Sequence, residues 1–307
     1  MGKQILITGI TGFIGSHIAA VFLENGDRVT GLKRSQSDTW RNTAYADKIH
    51  WINIDDKGWQ EQVIQVKPDI IIHGAWEGVA ADNRQHWVTQ WKNLDLLSEL
   101  LLIARESGTQ KFIGLGSQAE YGYFDGVIDE TYPCNPNSAY GVSKLMAKEA
   151  VKCFCEQHDI QWYWLRLFPC FGEKESFDWL IPMLTRKIYR KELMEMTPGE
   201  QRYAYLYVKD LSSWIVSIAK EELSSGIYNI SSQTSYSLKE VVKKITGLLG
   251  SGEANIRLGA LPYRQHQPML LAGNVQKLFN GLGGLKESNF DEKLQATVTY
   301  IIQHIQA

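Results

Sequence analysis

The strongest constraint on this chain is its opening. Lys3-Gln4-Ile5-Leu6-Ile7-Thr8 is a short apolar run that stops at a glycine, and Gly9, Gly12 and Gly15 follow at intervals of three. An apolar run ending on a turn residue marks a buried strand. Ile14, Ile18, Val21 and Phe22 then share one helical face, and Asn25-Gly26 supplies a C-terminal stop. Glycines between a buried strand and a helix permit a tight turn and let backbone N–H groups approach an anion at the helix N-terminus. Gly9, Thr11, Gly12, Phe13, Ile14 and Gly15 are therefore candidate contacts for the pyrophosphate of a dinucleotide.

The same alternation continues. Strand-like runs recur at Arg28-Val29-Thr30-Gly31-Leu32, His50-Trp51-Ile52-Asn53-Ile54, Asp69-Ile70-Ile71-Ile72-His73, Lys111-Phe112-Ile113-Gly114-Leu115-Gly116 and Trp162-Tyr163-Trp164-Leu165-Arg166. Helical stretches fill the gaps, notably Leu94 to Arg105 and Ser143 to Gln157. Strands alternating with helices predict an α/β fold with a doubly wound parallel sheet covered on both faces. After Gly172 the rhythm changes. Phe177 to Lys191, Leu211 to Glu222, Ser237 to Leu249 and Phe290 to Gln303 look helical, and Tyr203 to Val208 reads as a short strand. The expectation is a dinucleotide-binding domain over 1–172 and a smaller mixed α/β substrate lobe over 173–307. A segment near 226–231 could return to the sheet.

Composition closes off other classes. A net charge of −2 provides no broad basic surface for nucleic acid or anionic lipid. Four cysteines in 307 residues do not make a disulfide scaffold. Cys153 and Cys155 point to different sides of a helix and form a poor metal clip, so reduced thiols, no metal and a cytoplasmic setting are expected. Gln4 to Leu23 carries no formal charge, but Thr8, Gly9, Thr11, Gly12, Gly15, Ser16 and His17 interrupt it too heavily for a membrane span or signal peptide. Met1-Gly2 is not a myristoylation signal, because Leu6 stands where Ser or Thr is required.

Tyr140-Gly141-Val142-Ser143-Lys144 sets a phenol and an ammonium at i and i+4 on one helix face. A nearby cation favours the phenolate and would bring Tyr140 toward use as an acid or base near neutrality. Tyr205 and Lys209 share that spacing, and they are assigned to packing and solvent. At the end of the second strand, Lys33-Arg34-Ser35 offers two cations and a hydroxyl, with no acid where an NAD ribose would need one. A 2′-phosphate would find charge-assisted partners there, so NADP(H) is expected ahead of NAD.

Several further motifs resemble one family. The spacing of Gly9, Gly12 and Gly15 is similar to the G-x-x-G-x-x-G fingerprint of the short-chain dehydrogenase/reductase superfamily. His73-Gly74-Ala75-Trp76 resembles the H-x-A-A of its extended branch, the NAD-dependent epimerase/dehydratase family of nucleotide-sugar enzymes. Asn93 matches that branch's helix asparagine, Leu165-Arg166-Leu167-Phe168 its L-R-x-F, and Tyr207-Val208-Lys209-Asp210 its Y-V-x-D. Glu130-Thr131-Tyr132-Pro133, Pro136 and Glu149 resemble the approach to its catalytic helix.

The resemblance implies a catalytic trio of Ser117, Tyr140 and Lys144, since Gly116-Ser117-Gln118-Ala119-Glu120-Tyr121-Gly122 is similar to S-S-x-x-V-Y-G. It implies cofactor contacts from Gly74, Ala75, Trp76, Asn93 and Phe168. It also sets Asn53 and Ile54, in Asn53-Ile54-Asp55-Asp56, at the adenine-reading D-I-x-D. On the substrate side it implies Gln118, a diphosphate-binding Arg264 ten residues before the helix-capping Asn274, and Arg202, whose register is one residue off. Pro169 replaces the usual asparagine after R-x-F, which counts against a conventional UDP-galactose 4-epimerase. Family dehydratases carry Asp and Glu directly after the hydroxyl residue, whereas this chain has Gln118 and Ala119. The epimerase/reductases that make GDP-fucose carry a cysteine where Ala119 stands. Glu120 reads as a surface or loop carboxylate.

Chemistry needing hydride transfer and one tyrosine remains. First is an NADPH-dependent 4-keto reductase of a nucleotide-linked 4-keto-6-deoxyhexose or dideoxyhexose, supplying surface polysaccharides. Second is a nucleotide-sugar 4-epimerase with tightly held NAD, and third a non-catalytic dinucleotide-binding regulator. The nucleotide stays open among CDP, dTDP, GDP and UDP. The resemblance also implies a homodimer, with Leu96, Leu100 and Ile103 and Ala147, Val151 and Phe154 as its seam.

Overall fold

Each apolar run alternates its side chains between two helical layers, and this alternation builds the core. A computed structural model describes residues 2–252 and 255–305. Seven strands form the main sheet: β1 (Gln4–Thr8), β2 (Arg28–Lys33), β3 (Ile49–Asn53), β4 (Ile70–His73), β5 (Lys111–Ser117), β6 (Gln161–Leu167) and β7 (Gly226–Ile230). All pair in parallel, in the spatial order β7-β6-β5-β4-β1-β2-β3. Chain direction across the sheet reverses between β1 and β4, which opens a crevice at their C-terminal ends.

Ile5, Ile7, Ile72, Ile113, Tyr163 and Leu165 pack with helices α1 (Phe13–Glu24) and α6 (Val208–Lys220) on one face. Leu6, Ile71, Phe112, Trp162 and Trp164 pack on the other with α2 (Trp59–Val66), α3 (Trp87–Ser107) and α4 (Ala139–Gln157). Both faces are apolar, so the strands read as continuous hydrophobic runs.

The smaller lobe has its own core, with Leu184 and Ile188 from α5 (Leu180–Tyr189), Val241 and Ile245 from α7 (Leu238–Leu248), and Leu294 and Val298 from a helix over Phe290–Ile305. The chain passes between the two bodies more than once. Gly126–Ile128 joins Leu270–Gly273, Arg202–Tyr203 and Tyr236–Ser237 in the lobe's four-stranded sheet. In the other direction, β7 pairs with β6, and α6 lies on α1.

Two expectations are corrected here. The strand expected from Tyr203 to Val208 is broken, because Tyr203 pairs with Leu271 while Leu206 pairs with Cys170 in a separate sheet. Val208 already begins α6. The seam assigned to Leu100, Ile103, Ala147 and Val151 is interior, since these residues lie at 0–2% exposure between α3, α4 and the sheet. Trp87, Val88, Trp91 and Leu102 of α3 and Met146 of α4 are the large apolar side chains that those two helices turn to solvent. Among the described residues, no helix is long and apolar enough to cross a membrane.

Candidate active site

The glycine loop sits in the β1/β4 crevice, and two of its glycines are required by the chain itself. Gly9 has φ +70°, and a Cβ there would lie 2.6 Å from the backbone N of Ala75. A Cβ on Gly15 would lie 2.2 Å from the carbonyl oxygen of Gly9. Gly12 differs, because its nearest neighbour would be Gly9 O at 3.1 Å. A Cβ there would meet no other atom within 4 Å, so most of the space beside Gly12 is open to a ligand. Gly12 caps α1 without a side-chain hydrogen bond, so N–H groups of the first turn lack intrahelical acceptors and favour an anion.

One cleft of about 510 Å³ runs from this loop to the smaller lobe, and Ser117, Gln118, Tyr140 and Lys144 all line it. Ser117 ends β5. Tyr140 and Lys144 lie on successive turns at the start of α4, where Ser138 caps the helix by accepting the Gly141 N–H at 3.1 Å. Lys144 Nζ donates to the Leu115 carbonyl at 2.7 Å and stands 3.7 Å from the ring centre of Trp76. Trp76 is held by its Nε1–H, which donates to Gln90 Oε1 at 2.8 Å. Burial lowers the Lys144 pKa to about 7.

The electrostatics of Tyr140 differ from expectation. Burial raises its pKa, against a hydrogen bond with Ser117 and the field of Arg84. The Arg84 guanidinium lies 5.2 Å from the Tyr140 ring centre, and Arg84 Nε is fixed on the Val79 carbonyl at 2.9 Å. Arg84, not Lys144, is the cation that opposes the rise. No spacing rule marks a lone arginine between β4 and α3, so the sequence reading passed over it.

Glu120 is not a surface carboxylate. It is fully buried. Its Oε1 accepts the Ser117 N–H at 2.9 Å and the Trp164 Nε1–H at 2.8 Å, and its Oε2 accepts Arg166 Nε–H at 2.9 Å. Ala119 N–H in turn donates to Ser117 Oγ at 3.2 Å, which closes a capping box around the Ser117 hydroxyl.

At the far end of the crevice the acid-free reading of β2 is also corrected. Parallel register sets Lys33 beside Asn53, and the chain beyond Asn53 brings Asp55 to the end of β2. Asp55 Oδ2 accepts both the Ser35 N–H, at 2.6 Å, and the Ser35 hydroxyl, at 2.9 Å. The Ser35 bonds, with the fields of Arg34 and Lys33, hold Asp55 below the usual carboxylate range. Arg34 is exposed and lies 3.7 Å from Glu77.

The other predicted cofactor contacts surround the same crevice or brace it. Asn53 Oδ1 is buried without a hydrogen-bond partner, leaving an acceptor for an adenine amino group. The Ile54 N–H donates to Lys33 O at 2.9 Å. Gly74 and Phe168 line the cleft, and the Ala75 N–H donates to Thr8 Oγ1 at 3.1 Å. Thr11 contributes its carbonyl to Arg41 at 3.5 Å. Asn93 does not line the cleft: its Oδ1 accepts the Glu77 N–H at 2.7 Å and its amide donates to Glu77 O at 3.1 Å, so it clasps the loop after β4.

On the lobe side, Arg202 faces away from the cleft. Its guanidinium donates to Ser235 O at 2.6 Å and pairs with Glu240 at 3.1 Å, while Tyr203, one residue on, lines the cleft. Arg264 is exposed; burial raises the Tyr203 pKa, and the Gln267 hydrogen bond and the Arg264 charge oppose that rise. Asn274 lies one residue before Val275, the N-cap of the helix over Gln276–Gly281, and its Oδ1 accepts the Gln276 N–H at 2.8 Å. Tyr205 packs in the lobe's core as expected, at 5% exposure, and Lys209 is exposed; Tyr205 also forms part of the cleft wall. Glu175 and Trp179, which the sequence reading did not single out, stand beside it on that wall.

A model of the NAD dependent epimerase/dehydratase family matches residues 5–231. The chain belongs to this family. CDP-abequose synthase of Salmonella muenchen is 28% identical over 295 residues, covering 91% of each chain. The dTDP-6-deoxy-L-talose 4-dehydrogenase (NAD(+)) of Aggregatibacter actinomycetemcomitans is 25% identical over 280 residues, 88% of this chain and 99% of that one. Among solved structures, the UDP-glucose 4-epimerase of Thermotoga maritima with UDP-glucose superposes with a TM-score of 0.88 at 22% identity, covering 98% and 99% of the two chains. The Thermus thermophilus UDP-glucose 4-epimerase complex with NAD gives a TM-score of 0.83 at 20% identity, covering 97% and 99%. The shared family fold is thus a Rossmann-type α/β architecture, and this chain is an enzyme of that family.

Proposed function

We propose that this protein reduces the 4-keto group of a nucleotide-linked 4-keto-6-deoxyhexose or dideoxyhexose, with NADPH as its preferred reductant. One observation carries the reading. The cleft that joins the glycine loop to Ser117, Tyr140 and Lys144 is lined, among the described residues, by a single carboxyl group, Glu175 on the far wall. Dehydration needs a base and an acid beside the hydroxyl residue, and Gln118 and Ala119 supply neither. One proton and one hydride suffice for reduction.

A nicotinamide dinucleotide, when bound, supplies the hydride. Gly12 and the open first turn of α1 fit its pyrophosphate, and the free Asn53 Oδ1 fits its adenine. Tyr140 then gives its phenolic proton to the substrate oxygen as charge builds there, which suits a phenol whose burial keeps it protonated. Ser117, fixed by Glu120 and Ala119, hydrogen-bonds the same oxygen. Lys144 holds the nicotinamide ribose from its place under Trp76. Lys33 and Arg34 attract a 2′-phosphate, and Asp55 moderates that preference. Arg264 binds the substrate diphosphate.

The relative named dTDP-6-deoxy-L-talose 4-dehydrogenase (NAD(+)) supports hydride chemistry at C4 of a nucleotide-linked deoxysugar, with NAD as the cofactor its name gives. A second reading, 4-epimerisation with retained NAD, uses the same three side chains, and the epimerase structures support it at the level of fold. In either case the enzyme acts in the cytoplasm and pairs as a homodimer through the exposed Val88, Trp91, Leu102 and Met146. The test is incubation with NADPH and a panel of CDP-, dTDP-, GDP- and UDP-linked 4-keto sugars. Consumption of NADPH with one of them is expected. Interconversion of nucleotide hexoses without added reductant would replace reduction by epimerisation.

A further inference from the structure

We propose that Glu175 and Tyr205 form the sugar-reading wall of the cleft, hydrogen-bonding the uncharged, hydroxyl-bearing ring of the substrate. The proposal rests on the nucleotide-sugar reading above. Its starting point is a pair of unfilled hydrogen bonds. Glu175 Oε2 and the Tyr205 hydroxyl are both sealed from solvent and have no partner, although both residues line the cleft that holds Ser117 and Tyr140. Buried polar atoms are nearly always paired, so two orphans on neighbouring residues that line one cavity point to a ligand. Tyr203, on the same wall, is already engaged, since its hydroxyl accepts Gln267 Nε2–H at 2.6 Å. Pro169 also lines the cleft and brings no side-chain polar group.

The surroundings decide what kind of group is read. Trp179, Leu180, Ile181 and Phe171 line the cleft around the pair. The groups facing Glu175 are the Gly172 N–H, Tyr205 and Cys170, and none is a cation. Burial accordingly pushes Glu175 up to about 8, so at neutral pH it is a neutral acid with one donor and one acceptor. A phosphate or carboxylate, which only accepts, would need cations on this wall. A sugar hydroxyl both donates and accepts, as the Glu175 acid and the Tyr205 phenol do.

The experiment compares CDP with CDP-glucose, and UDP with UDP-glucose, by calorimetric titration against the full-length protein, Y205F, E175L and E175Q. Each nucleoside diphosphate should bind the variants within about twofold of the parent. Affinity for the favoured nucleotide hexose should fall about tenfold in Y205F and E175L, the loss of roughly one good hydrogen bond. E175Q should recover most of the E175L loss, because an amide also donates and accepts. The parent's affinity should decline from pH 7 to 9 as Glu175 ionises, and that of E175Q should not. Equal hexose affinity in all proteins would overturn the proposal, as would equal losses for hexose and bare diphosphate. A parent protein that binds diphosphates and no nucleotide hexose would overturn the nucleotide-sugar reading itself, and this wall's role with it.

Discussion

Replacing Glu120 by alanine should unfold most of what holds Ser117 in place. The substitution removes the acceptor of three N–H groups, on Ser117, Trp164 and Arg166. Arg166 is then left charged at 2% side-chain exposure, and breaking such a pair costs about 3–5 kcal/mol. The stranded Ser117 and Trp164 N–H groups each add about 1–3 kcal/mol where they stay buried. These terms overlap, so a total of about 4 kcal/mol or more is expected. That is a large part of the roughly 5–15 kcal/mol available to a folded domain. Replacing Arg166 as well removes the orphaned charge, so E120A/R166M should regain at least about 2 kcal/mol over E120A. Urea unfolding followed by tryptophan fluorescence measures both. In the double variant, turnover should still fall about tenfold, because the Ser117 N–H has lost its anchor. A cost below about 1 kcal/mol for E120A, or no recovery in E120A/R166M, would refute the buried-pair reasoning.

The two inner glycines should separate fold from cofactor binding. G15A forces a Cβ to 2.2 Å from the Gly9 carbonyl oxygen and should cost about 1–3 kcal/mol. G12A meets that oxygen at 3.1 Å, should cost clearly less than G15A, and should lose about tenfold in dinucleotide affinity by titration. D55N removes the carboxylate at Ser35 and should raise the NADPH-to-NADH ratio of kcat/KM about fivefold; an unchanged ratio would place the ribose elsewhere. Lys144 has a folded pKa of about 7 against an ordinary 10.5, so the unfolded chain binds more protons between those values and stability rises with pH across that window. Melting curves from pH 6 to 10 should show the parent gaining on K144M, and parallel curves would contradict the burial of that ammonium.

Much of this was legible because its signals are local. The apolar runs, the glycine spacing and the i, i+4 pair of Tyr140 and Lys144 are read within a few residues, and the observed β1, α1 and α4 carry them. What was not legible depends on partners far along the chain. Glu120 looked like a loop acid because its partner Arg166 lies on the neighbouring strand, 46 residues away. The second-strand rule searched for an acid on β2 itself, while Asp55 arrives beside Ser35 from the end of β3. Tyr205 and Lys209 share a helical spacing, but α6 begins at Val208, so Tyr205 precedes the helix and, besides packing in the lobe's core, lines the cleft. Period alone also cannot separate the face a helix packs on its own sheet from one it offers to a partner, and so Leu100 and Val151 were placed in a seam when they fill the core.

The central claim is that hydride passes from a reduced dinucleotide to a keto carbon of a nucleotide-linked sugar while Tyr140 supplies the proton. Isotope transfer tests it most directly. The enzyme would be given NADPH deuterated at the transferable position, together with a nucleotide-linked 4-keto-6-deoxyhexose, and the product examined by mass spectrometry and NMR. The account predicts one deuterium at C4 per NADPH consumed, and a rate at least about a hundredfold lower in Y140F. Product without deuterium, or a Y140F enzyme that transfers it as fast as the parent, would contradict the account.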